Sequence, residues 1–162
     1  MQLSEGVEWA VHCCSILALV PPDRTMSAAK LAEFHQVPPA YLAKHLQALA
    51  QAGIVESVAG RKGGYRLAKP AADVSVLDVV QALGGDEPTF ACTEIRRRGP
   101  AAVPAKHYTT PCGIHAAMDR ADAAWRAELD RTSILDLVMH VAETASPVAI
   151  RKTTDWFVTA MR

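Results

Sequence analysis

The sequence predicts a mainly α-helical protein with one small β-hairpin, and three observations carry that expectation. Apolar residues recur at three-and-four spacing in several separate stretches, the period of an amphipathic helix. Between Ile54 and Leu67 the period changes to two around a glycine-rich turn, Gly60-Arg61-Lys62-Gly63-Gly64, which is the pattern of a hairpin. Helix limits are marked by serines at Ser27, Ser75 and Ser133 and by Pro21-Pro22, Pro38-Pro39, Gly53 and Gly84-Gly85. The succession of helix, turn, helix and hairpin from Ser27 to Leu67 predicts a winged helix-turn-helix.

Taken in order, Leu3, Val7, Ala10, Val11, Cys14, Leu17 and Ala18 predict a first helix from about Ser4 to Val20, with Glu8 and His12 one turn apart and offset from its apolar stripe. Ser27 caps a helix from Ala28 to His35. Pro39 suits a first helical position, and Tyr41, Leu42, His45, Leu46, Leu49 and Ala52 continue from it as the DNA-reading helix. Glycines at the hairpin tip let the backbone approach a phosphate while Arg61 and Lys62 supply charge, so the wing positions the protein on DNA. Ser27, Tyr41, Lys44, Arg61, Lys62 and Gly63 are the candidate DNA contacts, with His45 and Gln47 weaker. Ser75 then caps a helix from Val76 to Leu83.

From Asp86 to Gly113 the chain is interrupted by Pro88, Gly99, Pro100, Pro104 and Pro111, three consecutive arginines stand at Arg96 to Arg98, and no period persists. A long loop is expected, and long loops in compact proteins are commonly functional. A helix resumes from Ile114 to about Arg131, where Ala117, Met118, Ala121, Ala124, Trp125 and Leu129 form a broad stripe suited to packing on a second copy. Ser133 caps a short helix to about Val141. The expected organisation is a winged domain over 1–85, a cofactor loop over 86–113, a dimerisation helix and short helix over 114–142, and a tail over 143–162 without an assigned role.

At 162 residues, half of them hydrophobic, the chain can bury one core. Its formal net charge is zero, yet Arg24 to Lys69 holds seven basic residues against Glu33 and Glu56. That local excess of five positive charges on an otherwise acidic body suits a face that meets phosphate. Neither a membrane span nor a secretory segment is expected, which makes cytoplasm the default. The four cysteines then read as thiols or metal ligands.

Several strings resemble the Rrf-two family of bacterial transcriptional regulators, over roughly residues 1 to 142. They are Val37 to Leu49 with Tyr41-Leu42 and Lys44, the wing Gly60 to Leu67, and Val76-Leu77-Asp78-Val79-Val80. The resemblance implies a homodimer that binds double-stranded DNA, with an iron–sulfur cluster in the loop before the dimer helix. Cluster-binding relatives commonly present three closely spaced cysteines there, whereas this loop holds only Cys92 and Cys112, and a cluster needs four protein ligands. Val7-Glu8-Trp9-Ala10, His12-Cys13-Cys14 and Cys92-Thr93-Glu94-Ile95-Arg96 are similar to the redox-sensing RsrR branch. Together these resemblances imply a [2Fe–2S] cluster on Cys92 and Cys112 of one subunit with Glu8 and His12 of the partner subunit.

Other readings stay open. Glu8 and His12 also read as a solvated pair, Cys14 as a buried hydrophobe and Cys13 as a spare ligand, while His107 and His115 flank Cys112. The same loop suits zinc, and Cys92 with Cys112 suits a cofactor-free thiol–disulfide switch. A metal-dependent enzyme built on Glu8 and His12 is disfavoured, because no nucleophile and base stand at diagnostic spacing and the wing is the only phosphate-cradling loop.

Overall fold

Helix α1 (Glu5–Leu17) is the element against which the others pack. Glu5 and Glu8 in its first turn complement the positive end of the helix dipole. The computed structural model describes residues 3–60, 63–84 and 86–161. Within it, Ala10, Cys13, Cys14 and Leu17 of α1 join Leu31, Leu42, Leu46, Leu49, Ile54, Val79 and Ile134 in one apolar core.

Ser27 caps α2 (Ala28–His35), its hydroxyl accepting from the Lys30 N–H at 3.2 Å. Gln36 ends α2 in the left-handed region at φ 53°, the turn that swings the chain into α3 (Pro39–Gln51). Leu42, Leu46 and Leu49 of α3 are fully buried, each contributing about 2 kcal/mol by removal from water. Gly53 reverses the chain at φ 69° into β1 (Val55–Val58), antiparallel to β2 (Gly64–Leu67) with Val55 opposite Leu67 and Val58 opposite Gly64. Met26 adds a bridge to Tyr65, so the wing hangs from the entry to α2.

Helices α4 (Val76–Gly84) and α6 (Ile134–Thr144) begin side by side. Each carries a reciprocal capping box, Ser75 with Asp78 and Ser133 with Asp136, and the two serines pair as a β-bridge. The Val76 N–H donates to the Thr132 carbonyl and the Ile134 N–H to the Val74 carbonyl, both at 2.8 Å, which ties the exit of α5 (Gly113–Arg131) to the winged domain.

Three expectations need correction. Residues 147–160 are a helix, α7 (Pro147–Ala160), capped by Ser146; its Trp156 lies 4.7 Å edge-on from Phe34 of α2, and the Arg24 guanidinium donates to the Met161 carbonyl at 2.5 Å. α6 also runs to Thr144, beyond the expected end near Val141. Cys13 is not a spare ligand: α1 is enclosed by α3, α4 and α6, so its buried surface is wider than one stripe and takes in both cysteines. Burial pushes both thiols up to about 12.

Two histidines face inward, and the Nε2 atoms of His35 and His45 are buried without a hydrogen-bond partner. Burial holds both below the ordinary histidine range, reinforced by His12 for His35 and by Lys44 for His45. Both therefore take up a proton more readily in the unfolded chain. Their stabilising effect is present above about pH 6.5 and is lost as pH falls towards their folded values. The urea midpoint should drop between about pH 7 and 5, less so in His45→Gln; parallel curves for the two proteins would exclude His45 as a source.

Candidate functional site

The leucines of α3 point into the core and leave Tyr41 and Lys44 outside. Tyr41 is 53% exposed, its ring edge-on to Trp9 and His45 at 5.6 and 5.1 Å. Of the basic residues counted between Arg24 and Lys69, several are engaged within the chain. Lys30 pairs with Glu33 at 2.9 Å, Arg66 with Glu56 at 2.5 Å and Lys69 with Asp78 at 3.5 Å, and Arg24 holds the Met161 carbonyl. Lys44 alone among the described ones makes no hydrogen bond or ion pair. Arg61 and Lys62 lie outside the described residues. Gly63 donates to the Gly60 carbonyl at 2.9 Å, and a Cβ there would stand 2.3 Å from the Val58 carbonyl oxygen. Ser27 is occupied as the cap of α2.

The loop over 86–112 is anchored at both ends. At its start the Arg126 guanidinium, already bonded to Asp122 at 2.7 Å, also takes the Asp86 carboxylate and the Glu87 carbonyl, and Thr89 bonds Asp122 at 2.9 Å. At its end Cys112 is the N-cap residue of α5. No cap hydrogen bond of full geometry forms. The backbone N–H groups of His115 and Ile114 nevertheless hold the thiol below its ordinary range, with the Arg96 guanidinium adding to them. Cys92 is half-buried and its sulfur accepts from the Glu94 N–H at 3.4 Å. His115 is paired with Asp119 at 3.3 Å.

Glu8 and His12 stand elsewhere, on the rim of a shallow concavity of about 380 Å³ between α1 and α4, floored by Val7, Val11, Val76 and Val80. Both are exposed, and Glu8 makes no hydrogen bond or ion pair among the described residues. The His12 ring lies 5.5 Å from that of His35. Among the described residues of one protomer, no three His, Cys, Asp or Glu side chains gather so as to hold a metal ion.

Residues 3–140 match the Rrf2 family, described as an iron-dependent transcriptional regulator. The chain belongs to the Rrf2 family. Relatives in Bacillus subtilis and Lactococcus lactis are named as HTH-type transcriptional regulators. It is 33% identical over 138 residues to the protein aau3 of Rhizobium meliloti, covering 85% of each chain. It is 38% identical over 85 residues to the HTH-type transcriptional regulator YwgB of Bacillus subtilis, 52% of this chain, and spans about half of that relative's length, 54%. The fold is similar to that of CymR, the global cysteine regulator of B. subtilis (TM-score 0.69, 20% identity, 86% of this chain and 98% of that one). It is also similar to T. potens IscR (TM-score 0.67, 20% identity, 93% and 96%). No helix among the described residues is long and apolar enough to cross a membrane.

The donor set suits an Rrf2 iron centre in its chemistry. Two thiols stand in one loop, one of them at a helix N-terminus that favours its ionised form, and an imidazole and a carboxylate lie together on an open face.

Proposed function

We propose that the chain is a homodimeric, sequence-specific DNA-binding regulator whose affinity responds to the redox state of a [2Fe–2S] cluster. Its ligands are Cys92 and Cys112 of one subunit and Glu8 and His12 of the partner subunit. The observation that carries this reading is the division of the donors into two half sets, neither sufficient alone: among the described residues no three gather in one protomer, and a cluster needs four protein ligands. A second copy completes each set. The long helix supports the pairing, because α5 buries no residue fully and exposes Ile114 and Met118 at 63% and 44%. Two such stripes side by side cover one another.

When bound, the cluster supplies a centre whose charge changes by one electron. The chain's own residues convert that charge into a movement of the reading heads. Helix α1 carries Glu8 and His12 on its open side and meets α3 through Trp9 against Tyr41 and through Gly6 beneath the His45 ring. A shift of α1 therefore reaches the reading helix directly, and a small loss of register between half-sites weakens binding to both.

The test is the visible spectrum with iron and sulfide analysis of protein purified without oxygen, compared with Glu8→Ala and His12→Ala. Brown wild type with about two irons per chain, altered in both variants, is the expected result. Brown protein indifferent to both substitutions would remove the mixed ligand set. On the DNA side, Lys44→Ala should weaken binding to all sequences and reduce the slope of log affinity against log salt by about one; an unchanged slope removes Lys44 from the phosphate contacts.

One observation favours a second reading. The lowered Cys112 thiol is also what a thiol–disulfide switch requires. Colourless, iron-free protein that loses two hydrogens on oxidation would move the conclusion there. A colourless protein carrying zinc would instead make the loop a structural metal site.

A further inference from the structure

The two cysteines stand twenty positions apart in the loop, and something must hold them in register. Arg96 spans them. On the Cys92 side its Nε and terminal nitrogen grip both oxygens of Glu94, at 2.5 and 2.9 Å, and the Glu94 N–H is the donor to the Cys92 sulfur. On the Cys112 side the same guanidinium donates to the Thr110 carbonyl at 3.3 Å, two residues before Cys112. Its plane also lies over the Tyr108 ring at 5.1 Å. The Tyr108 hydroxyl donates back to the Arg96 carbonyl at 2.5 Å and accepts from the Val103 N–H at 3.2 Å.

Glu94 adopts φ 50°, a left-handed conformation uncommon for a residue with a side chain. That turn lets one residue present its N–H to Cys92 and its carboxylate to Arg96. A guanidinium is suited to this task because its planar fork binds a carboxylate bidentately, stacks on an aromatic ring and still has a donor to spare. A lysine ammonium supplies the same charge with neither the fork nor the plane.

We infer that Arg96 is a positioning residue that clamps the Cys92 and Cys112 ends of the loop together, so that the two sulfurs act as one site. This rests on the reading that Cys92 and Cys112 work as a pair, whether for a cluster or for a disulfide.

The clamp is measured on the iron-free full chain as the effective concentration of one sulfur at the other, by equilibration in glutathione buffers of varied ratio. The Cys112 thiolate attacks glutathione disulfide, forming a mixed disulfide and releasing one glutathione thiolate. The Cys92 thiolate then attacks the Cys112 sulfur, closing the Cys92–Cys112 bond and releasing the second. Two protein thiols are oxidised, one glutathione disulfide is reduced, and the two protons pass to the released glutathione. Cys13 and Cys14, buried and with thiols near 12, stay out of the reaction.

Arg96→Ala should lower the effective concentration about tenfold or more, and Arg96→Lys by nearly as much, because charge alone does not clamp. Tyr108→Phe removes one hydroxyl and tests the same network with little risk to folding; a smaller loss in the same direction is expected. Wild-type values in Arg96→Ala, or full rescue by Arg96→Lys, would overturn the clamp while leaving the paired-cysteine reading in place. Wild-type protein that forms no Cys92–Cys112 disulfide at any ratio would overturn both.

Discussion

Replacing Cys112 by serine is expected to leave a colourless protein, with iron reduced about tenfold or more from two atoms per chain, and a DNA affinity that no longer changes on oxidation and reduction. The fold should survive intact. Cys112 lies outside the apolar core and is the N-cap of α5, a position where serine is among the strongest capping residues. The substitution therefore supports the helix while removing the sulfur, which separates loss of the ligand from loss of structure. Iron and sulfide content, circular dichroism and gel filtration on one preparation check the three parts. Full iron content in the serine variant would exclude Cys112 from the site.

Gly64→Ala should damage the winged domain severely. An added Cβ would stand 2.5 Å from the Met26 carbonyl oxygen, 2.6 Å from its carbon and 2.9 Å from the Ser27 nitrogen, all of them backbone atoms. Nothing flexible can give way. The two hydrogen bonds between Met26 and Tyr65, at 2.9 and 2.8 Å, would have to open, and Met26 is itself buried in the core. A loss of about 3 kcal/mol is expected, of the size seen when a packed site is overfilled, and a fall in melting temperature of about 6–12 °C for a chain of this length. DNA affinity should fall further than in Lys44→Ala, because the whole hairpin is displaced from α2. A thermal melt within about 2 °C of wild type would show that the bridge is less tightly packed than these distances imply.

Most elements were legible because their signals are local. Ser27, Pro39, Gly53, Ser75 and Ser133 mark boundaries through atoms within four residues of themselves, and the leucines of α3 announce its buried face by their spacing. Helix α7 is not legible for the converse reason. Arg151, Lys152, Thr153, Thr154 and Asp155 interrupt its apolar pattern, and its anchors Trp156 and Phe157 pack on a narrow patch rather than a stripe. The pair Ser146-Pro147, a cap followed by a first-turn proline, was the available signal. Cys13 reads as a spare ligand because spacing describes one buried face, whereas α1 is covered on several sides.

By itself, then, the sequence determined the order and type of the elements through α6, the family, and the ligand types available to a metal. Only the tertiary structure decided that Lys44 is left without a partner among the described residues while Arg66 and Lys30 are not, that both α1 cysteines are withdrawn, and that Arg96 bridges the two loop cysteines. The difference is one of range. Helix period and capping are set by neighbours along the chain, while the availability of a charge or thiol depends on residues far from it in sequence, as Glu33 meets Trp156 and Arg24 meets Met161.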